Sequence, residues 1–410
     1  MKCKIIFPLL ILSMLLLGCA PQPTIPDTPS VDDTGATPED VAELVKANNQ
    51  FGLDIYSEIS QKPGNVFISP WSLSSALSMT YEGARGQTAD EMKEVMHLPD
   101  VETRHSSFAK LFNDINKKDK SYELYTANAL WAQEDYPFLP EYLNLIEKYY
   151  AGKATNVDFA GNTEQARKTI NTWVEDHTNN KIKDLFAKGV LKPATRLVLT
   201  NAIYFKGTWL KQFDKSDTFD ADFRVNPEKT VQVPMMSMHE EDFNYFEDDK
   251  MQVLEMPYDG EDLSMLILLP KDDDLKSLES AITADKLSEW NQNLGQETLD
   301  VYFPKFTFET KYSLSDTLQA MGMPAAFSMN ADFSGMDGSK MLYISSVIHQ
   351  AFVEVNEEGT EAAAATGVVM TLKEAMPVVK TFRADHPFIF LIQEKSTGNI
   401  LFLGRVIDPS

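Results

Sequence analysis

Helix-like segments occupy the first half of this chain, and strand-like segments dominate the second half. Apolar residues recur at helical spacing in three early stretches, Val41–Ile59, Ser72–Met79 and Gln165–Thr178. Later stretches have the length and composition of buried strands, and they are Leu197–Tyr204, Val253–Met256, Ser264–Leu269, Asp300–Phe306, Val347–Val355, Pro387–Ile392 and Ile400–Val406. Because the two kinds of segment do not alternate regularly, the pattern predicts an α+β fold rather than a parallel α/β fold.

Residues 39–410 are predicted to form one domain. No Pro-, Gly- or Ser-rich linker, internal repeat or low-complexity tract interrupts them, and 43% of the sequence is hydrophobic, which suffices for a large core. Folding is expected to start at Thr37-Pro38-Glu39-Asp40, where a capping Thr precedes a Pro and two acids in the first turn of a helix. No feature argues for association, so we expect a monomer.

The composition and the motifs exclude several classes of function. A net charge of −24 repels phosphate backbones, which argues against nucleic-acid binding. The chain contains no G-x-S-x-G, H-E-x-x-H, C-x-x-C, Walker or G-x-G-x-x-G motif, and its six histidines do not cluster as metal ligands. The glycine-containing segment Gly83–Gly86 lacks the Lys-Ser/Thr of a phosphate loop and predicts a turn. We therefore expect no enzyme activity, no metal and no cofactor.

The N-terminus has the pattern of an export signal. Two lysines precede the apolar run Ile5–Leu17, which is shorter than the roughly 20 residues that span a bilayer. The run closes on Gly18-Cys19 and resembles a bacterial lipobox, which implies a signal peptide over 1–18 and a lipid on Cys19. The Pro-rich segment 19–38 would then be an extended, unpacked tether. The protein would be an exported, membrane-anchored lipoprotein facing the periplasm or the cell exterior; an ordinary signal peptide with a chance Cys remains open.

Several motifs, in order along the chain after residue 40, resemble those of the serpin family. They are Asn65–Leu73 (NVFISPWSL), Gly83–Thr88 (GARGQT), Asn171–Ile182 (NTWVEDHTNNKI), Thr200–Trp209 (TNAIYFKGTW), Asp385–Phe390 (DHPFIF) and Phe402–Val406 (FLGRV). The resemblance implies a prokaryotic inhibitory serpin with three β-sheets and eight or nine helices. It also implies an exposed reactive loop at about 357–380, near the C-terminus.

The resemblance further implies roles for individual buried residues. Ser69, Ser72, Asn201 and His349 resemble the polar cluster beneath the centre of the main serpin sheet. Trp209 resembles the tryptophan at the place where that sheet opens first. For His349, a satisfied core histidine and the serpin role coincide, because both are structural hydrogen bonding and neither is catalysis.

A run of small residues begins the expected reactive loop. By resemblance, the serpin hinge comprises Glu357, Glu358, Gly359, Thr360, Glu361, Ala362, Ala363, Ala364 and Ala365. Taken in isolation, Thr360 followed by an acid and alanines also fits a capped helix. As an inserted strand, the segment would have one uncharged face without Pro, carrying Thr360, Ala362, Ala364, Thr366, Val368, Met370 and Leu372. This pattern favours an inhibitory serpin over a noninhibitory one.

The bond that a protease would cut follows from the hinge. In serpins the residue before this bond lies fourteen positions after the hinge glycine, which here is Lys373, so the predicted bond is Lys373–Glu374. Lysine favours trypsin-like proteases. Val369, Met370 and Leu372 offer alternative bonds to elastase-like, chymotrypsin-like or subtilisin-like enzymes.

The predicted function is irreversible inhibition of serine-type endopeptidases. The protease serine would form an acyl-enzyme with the loop, and the cut loop would then insert into the main sheet. An inserted strand of 14 residues would reach about 46 Å, close to the roughly 50 Å width of the domain. Two alternatives remain open: a noninhibitory serpin that acts as a surface binding or carrier protein, and a surface hydrolase.

Overall fold

The computed structural model describes residues 30–100, 103–117, 120–360 and 379–410. Within these residues the ten α-helices are α1 (Pro38–Ile59), α2 (Pro70–Gly83), α3 (Gly86–Val95), α4 (Arg104–Ile115), α5 (Pro140–Tyr150), α6 (Phe159–His177), α7 (Leu275–Ala281), α8 (Ala284–Asn293), α9 (Ser315–Met321) and α10 (Ser334–Asp337). The three helices expected early in the sequence lie within α1, α2 and α6. The described residues form ten α-helices, one more than the upper end of the expected eight or nine. The additional helix is the four-residue α10.

The strands are β1 (Val66–Ile68), β2 (Tyr122–Gln133), β3 (Lys153–Val157), β4 (Leu197–Thr208), β5 (Phe219–Asn226), β6 (Lys229–Glu247), β7 (Met251–Pro257), β8 (Leu263–Pro270), β9 (Gly295–Pro304), β10 (Phe306–Ser313), β11 (Ile344–Asn356), β12 (Gly359–Thr360), β13 (Lys380–Arg383), β14 (Phe388–Glu394) and β15 (Ile400–Val406). The strands expected from the sequence each overlap one of them, except that Asp300–Phe306 runs from the second half of β9 across Lys305 into the first residue of β10. The α+β organisation is confirmed.

Six strands form what we call the main sheet, in the order β10-β11-β12-β4-β2-β3. Its central strands β11 and β4 run parallel and pair directly from Ile344 with Leu197 to Phe352 with Tyr204. Beyond that point they separate, and the two-residue strand β12 lies between them. The main sheet is therefore closed along most of its length and open at one end.

The other nine strands form one hydrogen-bonded sheet that consists of two parts. The long strand β6 pairs with β5 in its first half and with β7 in its second half, and its pairing with β9 shifts register between Met238 and Glu241. One part is thus β5-β6-β9-β13, and the other is β6-β7-β8-β14-β15-β1. Counted as parts, the described strands make the three sheets that the sequence resemblance implied.

Helix α2 is buried between the sheets and positions the centre of the main sheet. Ser69 caps its N-terminus by accepting a hydrogen bond from the Ser72 amide, and Pro70 occupies its first turn. Twelve of its fourteen residues are buried, and it packs on β2, β4 and β15. A helix buried all round needs small or apolar residues on every side, which its four serines and its Trp, Leu, Ala and Met residues supply.

Helix α6 covers the opposite face of the main sheet. Ile170 and Val174 of α6 form an apolar cluster with Trp131 of β2, Val198 and Ala202 of β4. A strand entering between β4 and β11 would therefore meet α2 and the main core on one face, and the α6 cluster on the other.

The end of the segment expected to be an unpacked tether is packed against the domain. Val31 is buried, and Asn113 of α4 hydrogen-bonds both its amide and its carbonyl. An unpacked tether over 19–38 is thus wrong for Val31 through Thr37, because Val31 is buried with its backbone paired to Asn113 of α4, and the Asp32 amide donates to the Lys148 carbonyl of α5. Residues 19–29, including Cys19, lie outside the described residues. No helix in the described ranges is both long enough and apolar enough to cross a membrane.

Candidate functional site: the hinge and the open end of the main sheet

Strand β12 is a wedge between the two central strands of the main sheet. Thr360 pairs with Val355 of β11 and Gly207 of β4, and Gly359 pairs with Asn356 and Thr208. Both pairings are antiparallel. The first two residues of the hinge strand are therefore already inserted at the point where β11 and β4 part.

Glycine is required at position 359 by a close backbone approach. Its φ is +151°, and a Cβ there would lie 2.0 Å from the carbonyl oxygen of Gly207 and 2.7 Å from Cα of Thr208. Both obstacles are backbone atoms of β4, which cannot move without opening the sheet. Any side chain at this position would expel β12 or distort the edge of β4.

Thr360 is held by an aromatic pair beneath the open end. Its hydroxyl lies 2.8 Å from the Tyr258 hydroxyl, and Tyr258 stacks on Trp209 with ring centroids 4.6 Å apart. The Trp209 indole N–H donates to the carbonyl of Asn356 at 3.0 Å, and its amide donates to the carbonyl of Glu358 at 2.9 Å. Trp209 thus holds the chain on both sides of the turn that leads into β12, at the open end of the main sheet.

Two lysines hold the acidic residues of the hinge. The Glu357 carboxylate receives hydrogen bonds from Lys305 and Thr218, each at 2.8 Å, and the Glu358 carboxylate pairs with Lys215. Burial alone would raise the pKa of Glu357, but the hydrogen bonds from Lys305 and Thr218 outweigh it and lower that pKa. The Asn356 side chain accepts from the amides of Glu358 and Gly359 and so fixes the turn.

The four predicted polar residues meet beneath the middle of β4 and β11. His349 Nε2 accepts from the Ser69 amide at 3.1 Å, and its Nδ1 is hydrogen-bonded to Asn201 Oδ1. The Asn201 amide donates to Ser72 Oγ at 2.7 Å and to Asn128 Oδ1 at 2.6 Å. Ser69, Ser72, Asn201 and His349 are all fully buried.

The protonation state of His349 follows from its partners. Burial lowers its pKa to about 3, so the ring is neutral at physiological pH. Since Nε2 accepts from an amide, the single proton lies on Nδ1 and is donated to Asn201 Oδ1. One network therefore links β11, β4 and the start of α2 across the line where the sheet would part.

The described chain resumes at residue 379 and enters the nine-stranded sheet at β13. Lys380 forms ion pairs with Glu297 of β9 and Glu247 of β6, at 3.1 and 3.6 Å. A few residues on, His386 Nδ1 lies 2.9 Å from the Asp385 carboxylate, and Nε2 lies 2.6 Å from the carbonyl oxygen of Pro270. Both partners are acceptors, which favours the charged ring, and the pKa of His386 is raised despite its burial.

The predicted site residues that the structure describes lie in two groups. Glu357 to Thr360 and Trp209 meet at the open end of the main sheet, and the polar cluster lies farther along the same two strands. Other predicted residues lie outside the described residues: Glu361, Ala362, Ala363, Ala364, Ala365, Val369, Met370, Leu372, Lys373 and Glu374.

Sequence reasoning missed six residues of this site: Asn128, Lys215, Thr218, Tyr258, Lys305 and Asn356. Asn128 stands among small apolar residues of β2, and a polar residue in such a strand is a usable signal. Asn356 directly precedes the hinge, where an Asn before a turn is also a usable signal. The other four lie far along the chain from their hinge partners and carry no local pattern.

Comparisons with known proteins agree with this geometry. A family model described as "Serpin (serine protease inhibitor)" matches residues 46–409, so the chain belongs to the serpin family. It is 46% identical to an uncharacterized serpin-like protein of Thermococcus kodakarensis, over 89% of this chain and 86% of that protein. It is 45% identical to human leukocyte elastase inhibitor, over 90% of this chain and 100% of that protein. The crystal structure of human thyroxine-binding globulin complexed with thyroxine matches with a TM-score of 0.83 and 34% identity, over 90% of this chain and 100% of that one.

Proposed function

We propose that this serpin is an irreversible suicide inhibitor of serine-type endopeptidases. The protease cuts its reactive loop, becomes trapped as an acyl-enzyme and is displaced when the loop inserts between β11 and β4. The observation that carries the proposal is the wedge of Gly359 and Thr360, already paired between these strands in the direction that insertion requires.

The register of the wedge defines where the rest of the loop would pair. Each residue after Thr360 would pair with the residue one position earlier in β11 and with the residue one position earlier in β4. Thr366 would therefore lie opposite His349 and Asn201, which pair with each other in this structure. In this register residues 363–370 would replace the direct contact of β11 with β4. The thirteen residues from 361 to Lys373 would span about 43 Å.

The faces of the incoming strand match their expected surroundings. Thr360 points inward and is buried beside Tyr258, so Ala362, Ala364 and Thr366 would also point inward, toward the main core. The intervening positions 363, 365 and 367 would face the cluster beneath α6 and carry only Ala or Gly. Small residues on this face limit how far α6 has to move.

The chemistry of trapping belongs to the protease. Its serine oxygen attacks the carbonyl carbon of Lys373, the bond to the Glu374 nitrogen breaks, and Glu374 leaves as a new amino terminus. Lys373 is left as an ester on the protease serine, which water would normally hydrolyse. Insertion carries this ester along the main sheet before hydrolysis occurs, and distortion of the protease stalls the second step.

Trypsin-like proteases are the favoured targets because Lys373 offers a cation to an acidic specificity pocket. Val369, Met370 and Leu372 would serve enzymes that prefer apolar residues. The similarity to a protein named leukocyte elastase inhibitor supports a second, apolar specificity of this kind.

The site of action is proposed to be a membrane surface. The apolar run that ends in Gly18-Cys19 supports export, cleavage after residue 18 and lipidation of Cys19. Residues 19–29 would then connect the lipid to the domain. The inhibitor would face the periplasm or the cell exterior and meet proteases there as a monomer.

Incubation with trypsin followed by denaturing electrophoresis tests the inhibitory function. We expect an SDS-resistant adduct of the wild type. Thr360→Arg should be cut at a normal rate but form little adduct, because a buried, unpaired charge costs several kcal/mol. Glu361→Arg is the matched control, since it introduces the same charge one position on, facing outward in the proposed register.

The same gel separates the alternatives. Cleavage of the wild type without an adduct would favour a noninhibitory binding or carrier protein, a possibility supported by the match to thyroxine-binding globulin with bound thyroxine. Equal adduct formation by the wild type and Thr360→Arg would contradict insertion in this register.

A further inference from the structure

The segment Val31–Thr37, which we call the N-terminal arm, makes directional contacts with two helices. The Asn113 side chain of α4 accepts from the Val31 amide at 3.1 Å and donates to the Val31 carbonyl at 2.9 Å and to the Asp33 carboxylate at 3.1 Å. The Asp32 amide donates to the Lys148 carbonyl of α5 at 2.9 Å, and its carboxylate pairs with the Lys148 ammonium at 3.1 Å.

The arm forms a short, structured connection between these contacts and α1. Its chain turns at once, with the Ala36 amide donating to the Asp33 carbonyl at 3.1 Å. Thr37 then caps α1, and Ala36 packs against the main core. Relative movement of α4 and α5 against the start of α1 would therefore break the Asn113 and Lys148 contacts rather than stretch a flexible linker.

The α5 contact of the arm and its α1 end belong to opposite sides of the opening line, whereas α4 packs on both α1 and α5. Helix α5 leads directly into β3 and packs on it, so it follows the β4-β2-β3 side of the main sheet. Helix α1 packs on α9 and β15, and α9 packs on β11. The arm thus connects the strands that would leave β11 with the body that stays with β11.

Admission of one strand moves β4 away from β11 by about 4.8 Å, the spacing of neighbouring strands. Helix α1 also packs directly on α4, but apolar packing is non-directional and tolerates sliding. Hydrogen bonds weaken steeply once their distance and angle change, so the arm resists this displacement more sharply than the apolar contact does.

We propose that the N-terminal arm is a clasp that holds the main sheet closed and slows loop insertion. The inference rests on the proposed insertion mechanism. It gives the residues between the predicted anchor and the domain a second role: they set how readily the sheet opens, in addition to spacing the domain from the membrane.

The test compares full-length wild type with Asn113→Ala, which removes all three side-chain contacts to the arm. We expect the rate of adduct formation with trypsin to rise at least roughly two- to tenfold, the range expected from the loss of even one of these hydrogen bonds. The thermal midpoint of the uncleaved protein should fall, whereas that of the loop-cleaved protein should match the wild type. Lys148→Ala should act in the same direction with a smaller effect, because its ion pair is partly exposed.

Lys110→Ala is the matched control, since Lys110 lies on the same helix and pairs only with the exposed Asp114 among the described residues. An equal loss of stability in the cleaved and uncleaved forms of Asn113→Ala, with an unchanged trapping rate, would contradict the clasp. The arm would then stabilise the domain without affecting how readily the main sheet opens. In that case wild-type adduct formation would still support the inhibitory function. A wild type that neither forms an adduct nor gains stability on cleavage would overturn both proposals.

Discussion

Buried polar side chains fix the relative positions of β4, β11 and α2 in this molecule. His349, Asn201, Ser69 and Ser72 lie at the centre of the main sheet, where each has at least one hydrogen-bond partner. Burying such groups without partners would cost free energy, whereas a fully paired network favours one arrangement of β4, β11 and α2. The network also lies where Thr366 would arrive, so insertion has to rearrange it.

The ionisation of His349 predicts how stability depends on pH. The folded protein resists protonation of this ring until about pH 3, whereas the unfolded chain takes up a proton near 6.5. The free energy of unfolding should therefore fall as the pH drops below 6.5, by about 2 kcal/mol at pH 5 from this residue.

Denaturant unfolding of wild type and His349→Gln between pH 4 and 7 measures this contribution. The variant can hydrogen-bond at both ends but does not titrate, so its pH dependence should be shallower by that amount. His239→Gln, at a half-exposed side chain, is the control. Parallel curves for wild type and His349→Gln would show that protonation of His349 is not linked to folding.

The residue before the cut bond decides which proteases are trapped. Lys373→Ala should abolish trapping of trypsin and retain some trapping of enzymes that prefer apolar residues, because Val369, Met370 and Leu372 remain. Mass spectrometry of the C-terminal fragment released from the wild type by trypsin should find Glu374 as its first residue. A different first residue would move the bond and reject this assignment.

Among the described strands, the two-residue strand β12 determines how the rest of the loop would pair on insertion. Strand β12 has two residues, yet its pairing sets the register and the inward face of everything that would follow. The helical alternative for this segment would use Thr360 as a cap, but the structure places Thr360 in a strand with its hydroxyl on Tyr258. The small residues after it are therefore better explained by the space between the core and α6 than by helix propensity.

Gly359→Ala tests the close approach of β12 to β4. The added Cβ would meet backbone atoms of Gly207 and Thr208, so β12 should be expelled from the open end of the sheet. We expect the free energy of unfolding of the uncleaved protein to fall by about 1–3 kcal/mol. A larger share of the loop should be cut without trapping the protease, as seen on a denaturing gel.

Gly295→Ala is the matched control, because nothing lies within 4 Å of a Cβ at that position. It should leave stability and adduct formation close to wild type. Wild-type behaviour of Gly359→Ala would mean that the wedge contributes nothing to insertion.

For the whole molecule, the proposed lipid anchor lies near one end of the sequence and the proposed reactive loop near the other. The described chain pairs in the main sheet up to Thr360 and pairs again at β13, and the N-terminal arm contacts α4 and α5. In the proposed mechanism, anchoring and inhibition would therefore act through one domain.

The predicted lipid on Cys19 has a direct test. Cys19→Ser should release a folded inhibitor from the membrane fraction, because the acyl chains that hold it would be lost. Fractionation of the cells and immunoblotting measure the distribution, and adduct formation with trypsin shows that the released protein is intact. A wild-type protein that is soluble and carries no lipid would rule out the anchor.

Local patterns in the chain were enough to predict the α+β class and the helices of α1, α2 and α6, since helical and strand periodicity are properties of neighbouring residues. The hinge glycine and the inward face of Thr360 came from the resemblance to serpins, together with the alternation of side chains along a strand. Lys215, Lys305, Tyr258 and the docking of the arm had no comparable signal. Each depends on a contact between segments far apart in sequence, and such contacts arise only when packing brings the segments together. The closed state of the main sheet is of the same kind, because the direct pairing of β4 with β11 reflects how the whole domain packs around a gap that the loop has entered by two residues.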